Sequence, residues 1–248
     1  GAPESQVSVF AGARQSVGTV ESISPGMKYS WLKARRWLMS RKHFSAPFDA
    51  FLDAELPASS AAFKDVEFVS LDIETTGLDA SSADMLSVGW VVIRGGRVDL
   101  STAESYIVRP SGEVGDSASV HGLTDTVVGG GLGWGAALGM IVEVLTGRIL
   151  LVHHAGLDKA LLDRMSMNCY GARLPVPVVD TLALEHRRMQ HKHHIEIKKA
   201  LRLSDLREAY NLPRYNAHDC LVDAIATAEL LIAIAAHRGD TSLGELLQ

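Results

Sequence analysis

Residues 66–78 read VEFVSLDIETTGL, a stretch that combines a structural signal with a chemical one. Residues 66–73 form a mostly apolar run, which predicts a buried β-strand. Asp72 and Glu74 stand at its end. Because successive side chains of a strand alternate between its two faces, these two carboxylates point to the same side. Two carboxylates this close do not both ionise without a compensating cation. The stretch therefore predicts a strand end that binds cations.

The four residues that follow, Thr75, Thr76, Gly77 and Leu78, strengthen this prediction. An Asp-x-Glu pair alone is common and also occurs as ordinary surface acids at an exposed strand end. Glycine at position 77 lets the backbone turn and approach a ligand closely.

Strand and helix patterns on either side of this stretch define the fold class. Residues 85–94 and 97–109 are predicted strands around Gly95-Gly96, a two-residue hairpin signal. Short apolar strands at 148–153 and 176–179 then alternate with helices at 132–145, 155–167, 204–210 (capped by Ser204) and 217–237. The pattern predicts an α/β fold, a mixed sheet of about five strands with helices on both faces. We assign it to residues 65–240, after an N-terminal extension (1–64) and before a short tail (241–248).

Two further acidic clusters follow along the chain, at Asp158 in HHAGLDKALLD and at His218 and Asp223 in AHDCLVDA. Asp158 falls in the first turn of a helix after a strand end, where an acid also stabilises the helix dipole. Asp223 lies in a helix that is apolar nearly all round and is therefore expected to be buried. A buried aspartate requires a salt bridge, a hydrogen-bonded network or a metal.

Four carboxylates and one histidine from three separated segments are what a two-metal phosphodiester hydrolase needs. Carboxylate oxygens are the ligands that hard cations such as Mg²⁺ and Mn²⁺ prefer. Two such ions clamp the attacking and leaving oxygens of an in-line displacement. A histidine beside them, here His218, is suited to take the proton from the attacking water.

With these motifs in this order, residues 65–238 resemble the DEDDh class of 3′→5′ exonucleases, the family of the bacterial DNA polymerase III epsilon (proofreading) subunit. The family motif D-x-E-T-T-G matches Asp72 and residues 74–77, and H-G-[IL]-T matches residues 121–124. The motif H-N-A-x-F-D matches His153, Ala155 and Asp158. The motif H-x-x-x-x-D-A matches His218, Asp223 and Ala224. Two positions depart from the pattern: His154 replaces the usual Asn, and Leu157 replaces the usual Phe. Both departures bear on how the terminal nucleotide is bound rather than on the metal site.

The resemblance implies a ribonuclease H-like fold, two divalent cations (Mg²⁺ or Mn²⁺) and release of nucleoside 5′-monophosphates. It implies a metal-binding role for four acids: Asp72, Glu74, Asp158 and Asp223. It implies that His218 is the general base. It further implies that the pocket for the terminal nucleotide is lined by five residues: Thr75, Thr76, Gly77, Leu78 and His121. The tail TSLGELLQ contains no convincing clamp-binding motif, so a stand-alone or accessory relative is expected rather than a replicative subunit.

The expected substrate is nucleic acid with a single-stranded 3′ end, DNA in preference to RNA. Two alternatives remain: the same chemistry on RNA or short oligonucleotides, and a catalytically silent module that binds nucleic acid or a partner. A cysteine nucleophile at Cys220 is disfavoured, because no activating arrangement beyond the nearby His218 is recognisable. The net charge of −5 disfavours a general polyanion binder but not a nuclease, whose site carries four of the negative charges.

Residues 28–43 predict a basic, partly amphipathic helix with Trp31 and Trp37. Its tryptophan face either packs on the main domain or contacts nucleic acid, a protein partner or a membrane surface. Residues 185–202 are rich in Arg, Lys and His. They predict a solvated loop, a contact with the phosphate backbone or, with His191, His193 and His194, a transition-metal site. No run of 18 apolar residues and no secretory signal is recognisable, and the two cysteines favour a reduced, cytoplasmic protein.

Overall fold

The computed structural model describes residues 24–110, 130–193, 201–216 and 218–247. Five strands form one sheet in the order β3-β2-β1-β4-β5. The strands are β1 (Phe68–Thr75), β2 (Met85–Arg94), β3 (Arg97–Ile107), β4 (Ile149–Val152) and β5 (Val178–Asp180). The helices are α1 (Pro25–Ser40), α2 (Ala46–Asp53), α3 (Trp134–Val144), α4 (Ala155–Tyr170), α5 (Thr181–His193), α6 (Leu203–Ala209), α7 (Cys220–Arg238) and α8 (Leu243–Leu246).

The sheet is mixed, as the sequence predicts. Strands β1, β2 and β3 are antiparallel neighbours, whereas β4 pairs parallel with β1, and β5 pairs parallel with β4. Gly95 and Gly96 join β2 to β3 with positive φ angles of 60° and 70°, the backbone of a tight hairpin turn. Because β1, β4 and β5 run in one direction, their carboxyl ends meet at the same end of the sheet, and side chains at these ends come together.

Helices cover both faces of the sheet, which confirms the predicted α/β arrangement. Leu71 and Ile73 of β1 belong to the core on the side of α2, α3 and α4. Phe68 of β1 belongs to the core on the other side, with residues of α7 such as Ala228. Ser70 shares that face and donates a hydrogen bond of 2.7 Å to the carbonyl oxygen of Ala224 in α7. Helix α7 is thus joined directly to the strand that bears Asp72 and Glu74.

Gly89 is the residue of β2 that pairs with Asp72, and it permits the close approach of α7. A Cβ atom at this position would lie 2.5 Å from the backbone nitrogen of Leu221 and 2.7 Å from the carbonyl carbon of Cys220. Both atoms are backbone atoms of the first turn of α7, which cannot move without moving the helix. The absence of a side chain at Gly89 therefore sets the distance between the start of α7 and β1.

Helix α7 is long and apolar enough to cross a membrane by composition alone, with a mean hydropathy of 1.8 over its most apolar window. Half of that window is buried inside the protein. Core helices pass the same test, and α7 packs along β1 and β2. In this structure α7 is a core helix.

The structure differs from the sequence predictions mainly after β5. Helix α5 occupies residues that were predicted as a solvated loop, and both Leu184 and Glu185 within it are completely buried. Tertiary packing stabilises this helix, although its sequence is rich in charged and histidine residues. Helix α6 begins at Leu203 with Arg202 as its N-cap, so the predicted cap at Ser204 is wrong.

Of the alternatives for the tryptophan face of the N-terminal helix, packing on the main domain is also wrong. In α1, Trp31 and Trp37 are 65% and 57% exposed. Tyr29 and Arg36 are the buried residues. The Tyr29 hydroxyl donates to the carbonyl oxygen of Pro57 at 2.7 Å, and the Arg36 guanidinium donates to that of Pro175 at 3.1 Å.

We predict that Gly89→Ala lowers the free energy of unfolding by about 1–3 kcal/mol, because the added methyl group overpacks the contact with α7. It also displaces Asp223 relative to Asp72, so any activity falls further than the folded fraction does. Gly139→Ala in α3 is the matched control, since a Cβ there meets no atom within 4 Å. Urea unfolding of both variants measures the difference, and equal stability of the two would contradict the packing argument.

Candidate active site

Three carboxylates converge at the carboxyl end of β1. Asp72, Glu74 and Asp223 each offer an oxygen, and these atoms all lie within 4.8 Å of one another. Asp72 and Glu74 share one face of β1, as the alternation predicts. Asp223 comes from the first turn of α7. The structure therefore brings residues that are 150 positions apart into one cation-sized cluster.

Burial and neighbouring negative charge raise the pKa values of Asp72, Asp158 and Asp223. The pKa of Asp72 is raised well above its ordinary value, first by burial and then by the charges of Asp158, Asp223 and Glu74. Burial also raises the pKa of Asp223, against the opposing effect of a hydrogen bond from the His218 backbone. Burial, followed by Asp180 and Glu74, raises the pKa of Asp158 to about 7. A divalent cation between these groups would reverse the shifts, because it stabilises the ionised form.

His218 lies directly beside the cluster. Its backbone N–H donates to Oδ2 of Asp223 at 2.9 Å, and its φ of 73° is in the left-handed region, which a non-glycine residue adopts only when its surroundings impose it. The next residue, Asp219, is the N-cap of α7 and accepts from the backbone nitrogens of Leu221 and Val222 at 3.0 and 3.1 Å. The sequence His218-Asp219 thus ends the preceding loop, caps α7 and presents the histidine at the site.

Asp158 lies in the first turn of α4, as predicted, and is buried. It is absent from the group of three carboxylates within 4.8 Å but is close enough to raise the pKa of Asp72. The four predicted acids therefore form a tight group of three with one further carboxylate beside it.

Asp180, at the end of β5, has a structural role that sequence reasoning missed. Its carboxylate accepts from the backbone nitrogens of His154 at 2.9 Å, Ala155 at 2.8 Å and Leu182 at 2.9 Å. It therefore satisfies amide groups at the starts of both α4 and α5. His154 has a φ of 76°, and this left-handed conformation is one that Asn, Asp and His adopt more readily than other non-glycine residues. An aspartate between a short strand and a helix is an N-cap signal, which could have indicated the role.

His153, which matches the second family motif, is engaged structurally. Its Nδ1 lies 2.8 Å from the Thr181 hydroxyl oxygen and its Nε2 lies 3.1 Å from the Leu201 carbonyl oxygen. Burial lowers the pKa of His153, which favours the neutral ring. The residue thus joins the end of β4 to the start of α5 and to the segment before α6.

The predicted nucleotide-binding loop begins at Thr75. The Thr75 hydroxyl donates to the carbonyl oxygen of Gly77 at 2.7 Å, and Thr76 and Asp84 exchange two hydrogen bonds of 2.9 and 2.8 Å that close the loop. Leu78 at its tip is 92% exposed. The backbone of Gly77 lacks the positive φ that would require glycine. A Cβ atom at this position would meet no atom within 4 Å, so packing does not require glycine either. His121, the fifth predicted residue of this pocket, lies outside the described residues.

A cleft of about 670 Å³ opens beside the carboxylates. Asp72, Asp223, His153 and His218 line it, and residues 202–215 add three arginines (Arg202, Arg207 and Arg214), two acids (Asp205 and Glu208) and Tyr215. A second depression of about 290 Å³ adjoins it, lined by Glu74, Tyr106 and Cys220 among others, and His218 borders both. Of the basic segment singled out in the sequence, Arg202 reaches the cleft. Arg187 bonds to the Leu247 carbonyl and Arg188 to Glu185, and the side chains of residues 191–200 are outside the described residues.

Arg207 anchors the segment that leads to His218, and no sequence signal indicated it. It is 3% exposed. Its guanidinium donates to the carbonyl oxygen of Pro213 at 2.8 Å, to that of Ala226 in α7 at 2.7 Å and to Oε2 of Glu229 at 2.8 Å. It also lies 4.4 Å from the ring centre of Tyr215. The loop before His218 and the helix of Asp223 are thereby tied to one side chain.

The thiol of Cys220 is an unsuitable nucleophile. The residue is buried, and burial raises the pKa of its thiol to about 11, so the thiolate is scarce at neutral pH. This agrees with the sequence expectation that hydrolysis through a cysteine is disfavoured.

We predict that, with a chelator present, stability falls as the pH rises from about 4 to 8. The unfolded chain releases the Asp158 proton near pH 3.8, whereas the folded chain retains it up to about pH 7. The folded state therefore binds more protons in this window and loses that advantage as the pH rises, by at most about 4 kcal/mol. We measure Tm as a function of pH. We expect it to change less with pH for Asp158→Asn, and for the wild type with Mn²⁺, than for the wild type with chelator. Asp53→Asn, an exposed acid of α2, is the control; a slope that neither Asp158→Asn nor metal alters would refute the assignment.

We further predict that Arg207→Met destabilises the protein by about 2–4 kcal/mol, because it leaves the buried Ala226 carbonyl without its donor, removes the bond to Pro213 and leaves Glu229 with the Tyr215 hydroxyl as its donor. The rate per folded molecule also falls, since the segment before His218 loses its anchor. Arg173→Met, at an exposed arginine, serves as the comparison and should cost less than about 0.5 kcal/mol. Denaturant unfolding, together with assays well below Tm, separates the two effects, and a variant as stable as wild type would disprove the anchoring role.

Two curated bacterial proteins are similar to this chain in sequence. Over 178 residues the chain is 26% identical to the PolC-type DNA polymerase III of Thermotoga maritima, which covers 71% of this chain and 12% of that protein. It is 25% identical over 165 residues to the 3′-5′ exonuclease DinG of Staphylococcus haemolyticus, covering 66% of this chain and 18% of that protein. The chain thus spans less than a fifth of the length of these two curated relatives.

Solved structures of low sequence identity share the fold. E. coli exonuclease I in complex with a dT13 oligonucleotide superposes with a TM-score of 0.56 at 16% identity, over 68% of this chain and 41% of that one. Exonuclease X in complex with 5′ overhanging duplex DNA superposes with a TM-score of 0.54 at 21% identity, over 73% of this chain and 97% of that one. The predicted ribonuclease H-like fold is confirmed, as is the resemblance to DEDD-type 3′→5′ exonucleases. Residues 69–231 match the family model RNase_T, described as exonuclease, and the chain belongs to this exonuclease family.

Proposed function

We propose that this chain is a two-metal 3′→5′ exonuclease that hydrolyses phosphodiester bonds at single-stranded 3′ ends, of DNA in preference to RNA. The products are nucleoside 5′-monophosphates. The observation that carries the proposal is the group of three carboxylates, with oxygens within 4.8 Å of one another, beside a cleft whose lining includes arginines. Family membership supports the same chemistry.

The donor set fits hard divalent cations. Asp72, Glu74 and Asp223, with Asp158 beside them, supply only carboxylate oxygens, which suits Mg²⁺ and Mn²⁺. The pKa values of Asp72, Asp158 and Asp223 are raised, so ionising these acids costs free energy that bound cations would offset. When bound, the cations would polarise the scissile phosphate and stabilise the charge on the attacking and leaving oxygens.

His218 would act as the general base. Its backbone is fixed to Asp223, and the residue borders both the cleft and the adjoining depression, so a water molecule between the carboxylates and a phosphate would be within its reach. Removal of the proton generates the hydroxide that attacks phosphorus in line with the leaving 3′ oxygen of the penultimate nucleotide.

The walls of the cleft would position the strand. Arg202 and Arg214 line the cleft, Arg214 in an exposed ion pair with Glu208 at 2.7 Å, and both would contact backbone phosphates, so binding would weaken with salt. The exposed Leu78, at the tip of the loop formed by Thr75, Thr76 and Gly77, would contact the terminal base. The preference for DNA rests on exonuclease I and exonuclease X, whose solved complexes contain DNA.

The test is a time course on 3′-labelled and 5′-labelled single-stranded DNA and RNA of one sequence, with Mg²⁺, Mn²⁺ or chelator. We expect metal-dependent, stepwise shortening from the 3′ end and faster cleavage of DNA. Faster cleavage of RNA would support an exoribonuclease of the same class. Binding without cleavage in any metal would support the silent nucleic-acid-binding module.

Two substitutions test the assigned roles. Asp72→Asn should reduce kcat by about 10³-fold or more, because it removes a charge that all cation binding depends on. His218→Asn should reduce kcat by about 10²–10⁴-fold while cation affinity, measured by calorimetry, stays within a few-fold of wild type. Asp53→Asn is the matched control and should cleave at the wild-type rate. Wild-type cleavage by Asp72→Asn would overturn the mechanism.

A further inference from the structure

Helix α1 presents an apolar stripe to solvent. We call Met27, Trp31, Ala34 and Leu38 the α1 seam. All four residues are exposed, and the three large side chains are 62%, 65% and 57% accessible. Their spacing is 4-3-4, which keeps side chains on one line of a helix and is the a/d pattern by which one helix packs against another.

The opposite side of α1 is fixed to the protein, so the seam is held in place. Tyr29 donates to the Pro57 carbonyl, and Lys33 donates to that of Leu56 at 3.2 Å. The buried Arg36 guanidinium bonds to carbonyl groups at the end of α2, including that of Phe51, and to that of Pro175. A partner would therefore meet a preformed surface and would not have to order this helix on binding.

Charge identifies the chemistry of the partner. Six of the 24 basic residues of the chain lie between positions 28 and 42, and no acidic residue occurs between positions 24 and 48, although the chain has a net charge of −5. Lys28 and Arg35 flank the seam on one side at an interval of seven residues, and Lys42 continues this line just after the helix. In a helix pair these are flanking positions, where opposite charges on the partner determine which helix binds.

We propose that the α1 seam docks an amphipathic α-helix of a partner protein, with apolar residues at heptad spacing and an acidic flank. Met27 and Leu38 suit such a helix, whereas single-stranded nucleic acid binds through stacking and positive charge and needs no aliphatic stripe. A second copy of this chain would bring its own Lys28 and Arg35 against these cations. An anionic membrane offers the same charge as an acidic helix, and vesicle binding is therefore one of the outcomes that the test below distinguishes.

The test uses two designed 28-residue helical peptides with leucine at a and d, one with glutamate and one with lysine at e and g. Fluorescence anisotropy of each labelled peptide is measured against the full chain. We expect the glutamate peptide to bind at least ten-fold more tightly than the lysine peptide, and this difference to shrink with salt. Equal binding of the two peptides, or binding of neither, would overturn the proposal.

Variants assign the binding to the seam. The double substitution Trp31→Ala with Leu38→Ala should weaken binding of the glutamate peptide at least ten-fold, and Arg35→Glu should reduce its preference over the lysine peptide. Leu100→Ala, at a 63% exposed leucine of β3, should leave binding within two-fold of wild type. Trp31, Leu38 and Leu100 are exposed and Arg35 is half-buried, so the fold should survive, and metal-dependent nuclease activity is measured in parallel. An equal loss in Leu100→Ala would overturn the assignment. The assignment would also be overturned if a dT20 oligonucleotide or phosphatidylglycerol vesicles bound through the same residues more tightly than the glutamate peptide does. A dimer of the chain that is lost in the double variant would overturn it as well.

Discussion

Repulsion among closely spaced carboxylates is the constraint around which this structure is arranged. Asp72, Glu74 and Asp223 have oxygens within 4.8 Å of one another, and Asp158 lies near enough to add its charge. Nothing in the local propensity of β1, α4 or α7 would hold these groups together. They are held by contacts that do not involve the carboxylates: parallel pairing of β1 with β4, the bond from Ser70 to Ala224, and the close approach that Gly89 permits.

The acids near the site divide into two kinds according to their surroundings. Asp180 and Asp219 accept hydrogen bonds from backbone N–H groups at the starts of helices. Asp72 and Asp158 have pKa values raised by burial and by neighbouring negative charge. The acids of the first kind fix where the helices begin, and those of the second kind lie where a cation would stabilise their ionised form. Two aspartates of similar burial, Asp158 and Asp180, therefore serve different purposes because only one of them is aimed at amide groups.

The sequence predicts the parts of the fold and site that depend on local patterns. The apolar run before Asp72, the Gly95-Gly96 turn and the boundaries of β2 follow from periodicity and turn chemistry. What it does not predict depends on distant partners. Helix α5 exists because Leu184 and Glu185 are buried, and Arg207 acts through carbonyl groups 6 and 19 residues away. The orientation of α1 is a further case, since the burial of Arg36, which its charge would not suggest, depends on carbonyl acceptors at the end of α2 and before β5.

The orientation of α1 determines where the α1 seam lies relative to the carboxylates. Helix α1 is attached in part through Pro175, which lies three residues before β5 and therefore near the amino end of that strand. The carboxylates lie at the carboxyl end of β1, a strand of eight residues that spans roughly 26 Å. A helix docked on the α1 seam would therefore leave the cleft open. It would tether the nuclease to a partner without competing with the nucleic acid strand, and any effect on cleavage would arise from where the enzyme is held rather than from its chemistry.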